Sequence, residues 1–178
     1  RGLTGVYFDR SATTFIDGKN GVLEYRGYNI NQLAEHSTFE ETGYLLIHGK
    51  LPTQAELNDF DAELKAAREL PEQVFDVLEL VKDSHPMDAL RTAVSALASF
   101  DEDRNDNSPE ATIRKGNRLT SQVPSIVMAH HNIRQGKDPI KPSTVLNHAG
   151  NFLYMLNGDE PSAATAELMD KDFVLHAD

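Results

Sequence analysis

Apolar positions recur along most of this chain at intervals of three and four, the period of a helix with one buried face. Ser37-Thr38-Phe39-Glu40 reads as a capping box, and the helix it opens carries Leu45, Leu46 and Ile47 and stops at Gly49. Thr53 and Glu56 form a second box, followed by Leu57, Phe60, Leu64 and Ala67 on one stripe. Pro71 suits the first turn of a helix faced by Val74, Val77, Leu78 and Val81. Pro86 opens another, to Phe100, with Met87, Leu90, Val94 and Leu97 on its stripe. That segment is also rich in small residues, including Ala89, Ala93, Ser95 and Ala96, which allow close approach on more than one side.

Ser108-Pro109-Glu110 begins a long helix that reaches about Gln135, with Gly136 as its cap. Pro124 lies inside it and predicts a kink or break, because it lacks an amide and its ring crowds the preceding turn. Ser143 is placed as the cap of a helix through Phe152 and Leu156, closed at Asn157-Gly158, and Pro161 starts the last helix. Only near the N-terminus does the pattern change. Thr13–Ile16 and Val22–Tyr25 are β-prone and flank the turn residues Asp17-Gly18-Lys19-Asn20-Gly21, which predicts one small hairpin. The expected fold class is therefore mainly α, multi-helical, with a small N-terminal β-hairpin. No repeat or linker marks a second domain.

Composition narrows the function classes. With 39 % apolar and 25 % charged residues among 178, the chain reads as a soluble globular one. No apolar run approaches a membrane span, and the start lacks the pattern of a signal peptide. There is no cysteine, so neither disulfides nor thiolate metal sites are possible. A net charge of -11 argues against nucleic acid, and an anionic ligand would need a local basic cluster. Residue 1 is Arg, and residues 172–178 read as helix without a stop signal, which predicts a chain that ends inside an element.

The residues that could carry chemistry are few. His130 and His131 are adjacent and diverge by about 100° on a helix, so they do not share a ligand easily. They, with His36 and His48, read as surface or capping residues. His148 reads as a core residue and His85 as the N-cap before Pro86. His176 follows an apolar run and precedes Ala177-Asp178, and stands equally open to a site role and a structural one. Arg26 could bind an anion but is read first as stacking on Tyr25 or Tyr28, and Asp101, Glu102 and Asp103 could hold a cation but are read first as a solvated acidic loop. No catalytic constellation is complete, and no metal site is expected.

Several stretches resemble the opening of citrate synthases. They include Ile16-Asp17-Gly18, Tyr25-Arg26-Gly27-Tyr28, Ser37-Thr38-Phe39-Glu40-Glu41 and Gly49-Lys50-Leu51-Pro52-Thr53. His85-Pro86-Met87, Arg91-Thr92-Ala93-Val94-Ser95-Ala96-Leu97, Asn151-Phe152-Leu153-Tyr154-Met155 and Leu175-His176-Ala177-Asp178 continue the match in order. The start, Gly2-Leu3-Thr4-Gly5-Val6, looks most like the shorter bacterial and archaeal members.

The resemblance implies a family whose members condense acetyl-CoA with oxaloacetate, in the tricarboxylic acid cycle, as cytoplasmic homodimers. It makes residues 1–178 the N-terminal part of the large helical domain. It implies no cofactor, with acetyl-CoA as a substrate, and a dimer contact through helices including 86–100. The family's aspartate and its two substrate-handling histidines fall after Asp178, so no catalytic residue is assigned here. His176 matches the first histidine of the family's His-Ala-Asp-His motif, which places it near the oxaloacetate pocket without making it the main ligand. A 2-methylcitrate synthase acting on propionyl-CoA shares these motifs, and a non-catalytic helical interaction module is the competing reading from another class.

Overall fold

The computed structural model describes residues 5–6 and 11–178; the Gly2-Leu3-Thr4 part of the opening match lies outside them. Among the described residues three short strands, β1 (Thr14–Asp17), β2 (Val22–Tyr25) and β3 (Tyr28–Asn29), precede eight helices. The helices are α1 (Ile30–His36), α2 (Phe39–His48), α3 (Gln54–Ala66), α4 (Glu72–Leu80), α5 (Pro86–Leu97), α6 (Pro109–Ile133), α7 (His148–Asn157) and α8 (Ala163–Leu175). The mainly α expectation holds, and the hairpin proves to be two sides of a three-stranded antiparallel sheet.

The first turn works as its residues predict. The Asp17 carboxylate accepts from the amides of Lys19 and Asn20 and from the Asn20 side chain, so its pKa lies below the ordinary carboxylate range. The second turn was not foreseen. Arg26 and Gly27 both take positive φ, 51° and 86°, and Tyr25 pairs with Tyr28 across them. That conformation carries Arg26 away from the aromatic rings on which it was expected to stack. Its Nε and Nη2 donate instead to the Leu46 carbonyl, at 3.1 and 2.6 Å, where the C-terminus of α2 has acceptors to spare.

The long α6 is the organising element, packed against α3, α4, α5 and α7. It is one continuous helix through Pro124, so of the expected kink or break the break does not occur. The missing amide and the ring clash cost ~3 kcal/mol in an isolated helix. Here the turn after the proline is anchored on both sides. Ile126 and Ala129 are core residues, with Val74 and Leu78 of α4, Ala93 and Leu97 of α5, and Ile133. Ser125 donates to the Arg68 carbonyl at 2.8 Å. Burial of three helices against one another outweighs the local defect.

A second core joins the N-terminal layer to the last helix: Tyr25, Ile30, Leu33, Leu45, Leu46 and Val174. Cap positions differ from expectation in several places, among them the end of α6, which is capped at Arg134 rather than Gly136. Thr38, not Ser37, caps α2, accepting from the Glu41 amide, while Glu40 turns inward. Asn147, not Ser143, caps α7 by accepting from Gly150; Ser143 instead accepts from the Val145 and Leu146 amides in the turn before it. A Cβ at Gly150 would lie 2.8 Å from the Asn147 Oδ1 that caps the helix, so a side chain there would displace the cap. The last helix begins at Ala163 on Ser162 and stops at Leu175, so residues 176–178 are not helical as expected.

Candidate functional site

The one residue that the sequence offers to a site, His176, sits just past the C-terminal turn of α8. Its ring is exposed, and Nδ1 lies 2.8 Å from the Asp172 carbonyl one turn back. A carbonyl only accepts, so Nδ1 carries a proton, and Nε2 is the ring nitrogen left without that partner. The backbone that carries this ring is held from the opposite end of the chain. The Tyr25 hydroxyl donates to the Leu175 carbonyl at 3.1 Å, and the Asp178 carboxylate accepts from Thr13 at 3.1 Å and from Thr14. Ala177 lines a cavity of about 150 Å³ with Phe39, Gly43, Leu46, Ile47, Phe60, Leu64 and Thr120, whose lining side chains are mostly apolar.

Behind that end of α8 lies a buried polar seam between α2, α7 and α8. Glu40, only 5 % exposed, accepts from the His148 amide at 2.7 Å and thereby closes the first turn of α7. Asp170, 7 % exposed, accepts from the Phe39 amide at 3.3 Å at the start of α2. Burial pushes its pKa up to about 6, opposed by that amide and assisted by the Glu40 charge. The His148 ring is packed against Phe39 and Phe173, with centroids 4.4 and 5.5 Å away. Burial, and secondarily the Arg68 charge, lowers its pKa to about 4, so it is neutral at pH 7.

Arg68 completes the seam. It is 2 % exposed, and its Nη1 donates to the Ser143 and Leu146 carbonyls at 2.7 and 2.8 Å. Its charge is opposed at longer range by Glu40 and Asp61, while burial lowers its pKa. The Arg68 Nε and Nη2 and the His148 Nδ1 are buried without a protein partner. The seam therefore does structural work: it fixes how α7 and α8 dock on α2, using charges that have few alternatives once dry.

The remaining sequence readings divide. His85 is the N-cap of α5, accepting from Met87. His148 is in the core as read, but His130 is buried as well rather than on the surface. Asp101 and Asp103 are not merely solvated: Arg118 bridges both, Arg114 holds Asp103, and these guanidinium partners keep both carboxyls below their usual range. Arg26, Arg114 and Arg118 are thus each occupied by partners within the chain, while Arg68 is held through Nη1 alone. Among the described residues no group of three or more His, Asp or Glu could hold a metal ion, and no helix is long and apolar enough to cross a membrane.

The family model described as citrate synthase, C-terminal domain, matches residues 2–178. The chain belongs to the citrate synthase family. It is 46 % identical over its whole length to the citrate synthase of Deinococcus radiodurans, of which it covers 48 %. It is 34 % identical over 99 % of its length to a Bacillus subtilis protein named citrate/2-methylcitrate synthase, again covering 48 % of it. The crystal structure of citrate synthase from Pyrobaculum aerophilum superposes with a TM-score of 0.95 at 36 % identity, over 99 % of this chain and 46 % of that one. The chain spans about half the length of the curated relatives it matches.

The sequence reading passed over Glu40, Arg68 and Asp170. Glu40 was assigned to a capping box that does not form. Asp170 did leave a signal: it stands four residues before the buried Val174 and three before Phe173, on the inward face of α8.

Proposed function

We propose that this chain is the N-terminal part of the large helical domain of a citrate synthase, which condenses acetyl-CoA with oxaloacetate and water to give citrate and CoA. The observation that carries this reading is family membership over residues 2–178, joined to a relative named citrate synthase at 46 % identity. Enolising a thioester needs a base at the methyl group and an acid at the carbonyl, because neither proton transfer alone is accessible at neutral pH. We assign neither group within residues 1–178. In this reading His176 lies beside the oxaloacetate pocket and its Nε2 faces the ligand side, the reaction takes place in the cytoplasm, and no cofactor takes part.

The enzyme would act as a homodimer with α5 at the contact. Ala93, which the resemblance placed at the contact between two copies, is fully buried against α4 and α6 within one chain. The outer face of α5, with the exposed Thr92 and Ser95, is the part left for a second copy. Substitution of Ser95, rather than of Ala93, therefore probes assembly without disturbing the core.

A second reading, 2-methylcitrate formation from propionyl-CoA, is favoured by the Bacillus subtilis relative whose name carries both activities. Initial rates of the full-length protein with oxaloacetate and either thioester separate the two. The proposal expects kcat/KM for acetyl-CoA to exceed that for propionyl-CoA by at least ~10-fold, the order that one methylene contributes in an apolar pocket. A reversed ratio would replace the first reading with the second.

A further inference from the structure

We infer that Tyr25 is a positioning residue for His176, a role that rests on the placement of His176 beside the oxaloacetate pocket. The geometry is specific. Leu175 is the last residue of α8, and a carbonyl there has no acceptor role inside its own helix. The Tyr25 hydroxyl supplies the missing donor at 3.1 Å, across 150 residues of sequence. The Leu175 carbonyl and the His176 amide belong to one planar peptide group. Holding the oxygen therefore restrains the rotation of that plane, which is the frame from which the His176 Cα–Cβ bond departs.

Tyr25 is itself rigid. It is 1 % exposed, lies in the same core as Val174, and its backbone is pinned between Thr14 on one side and Tyr28 on the other. Thr13 and Thr14, the residues against β2, hold Asp178, the residue two beyond His176. The segment that carries the histidine is thus gripped before and after by the N-terminal sheet. At the ring itself, the Asp172 carbonyl sets the tautomer. Tyr25 sets the aim, and the exposed Nε2 is the atom aimed.

The test is a double-mutant cycle on the full-length enzyme with Tyr25→Phe and His176→Ala. Phenylalanine keeps the ring in the core, and thermal melts of each variant report any loss of folding. In the wild-type background, Tyr25→Phe is expected to raise KM for oxaloacetate by about 3- to 10-fold, with kcat and KM for acetyl-CoA changed less than ~2-fold, because aim at one ligand is what is lost. In the His176→Ala background, the same substitution should leave KM for oxaloacetate unchanged, since the group being aimed is gone. An unchanged KM in the first background would overturn the inference. So would an equal rise in both backgrounds, which would mean that Tyr25 acts through the fold at large. Absence of turnover by the wild-type protein with oxaloacetate is a different result: it removes the proposed function, and the inference with it.

Discussion

The α4–α5–α6 layer and the α2–α7–α8 seam are both buried, yet they are built from opposite materials. In the first, Val74, Leu78, Ala93, Leu97, Ile126 and Ala129 meet as apolar surfaces, and no charge is enclosed among them. In the second, Glu40, Arg68, His148 and Asp170 are each at least nine-tenths buried around Phe39 and Phe173. An apolar layer tolerates a proline in its central helix, because its stabilisation is spread over many contacts. A polar seam has no such redundancy. Its groups have at most two hydrogen-bond partners each, and removing one leaves another dry and unpaired.

Truncation should expose that contrast most strongly. Ile126→Ala removes buried methyl groups and is expected to destabilise the full-length protein by about 2–5 kcal/mol in urea unfolding. Glu40→Ala deletes far less apolar surface, yet should cost a similar ~3 kcal/mol, because the His148 amide loses its acceptor and Arg68 its nearby opposite charge. A loss below ~1 kcal/mol for Glu40→Ala would show that water already satisfies the seam, and the contrast would collapse.

Titration sharpens the comparison, since only the seam responds to pH. The folded pKa of Asp170 is raised, from 3.8 to about 6, so its contribution is fully present below pH 4 and is lost as pH rises through 6. Ionised Asp170 is therefore a burden at neutral pH. Asp170→Asn should raise stability at pH 7.5 by ~1–2 kcal/mol, with the gain fading towards pH 4. His148 has the opposite sign: its folded pKa is lowered from 6.5 to about 4, and stability is lost as pH falls through that window. A pH-independent effect of Asp170→Asn would mean that the carboxylate is hydrated. The Ile126→Ala loss should not vary over the same range.

The smallest effect concerns a cap. Thr38→Ala should destabilise by ~1 kcal/mol, as expected for an N-cap, and Ser37→Ala by less than about half of that. Equal losses would restore Ser37 as the capping residue.

The same contrast explains what the sequence made legible. Helical periodicity located the apolar layer, and proline and capping residues located helix starts to within a few positions, as at His85 and Thr53. Side chains that serve tertiary rather than local partners were misread. Glu40 has the spacing of a capping-box acid and spends itself on His148, 108 residues away. Arg26 sits among tyrosines and reaches α2 instead, because the turn it occupies reverses its direction. Pro124 obeys its local rule only until packing against α4 and α5 overrides it. His176 was found by its place in a motif; that Tyr25 and Asp172 hold it is a matter of contacts that no local pattern encodes.

The account rests on residues 1–178 being a scaffold and substrate-side half that lacks the acid-base groups of citrate formation. Thiol release with oxaloacetate and acetyl-CoA tests this directly, measured on purified residues 1–178 beside the full-length protein. The account expects ready turnover by the full-length protein and none by the shorter chain, since losing catalytic groups that act as a unit removes nearly the whole rate. Turnover by residues 1–178 within ~100-fold of the full-length protein would contradict it, and would place the chemistry on groups in this half, His176 first among them.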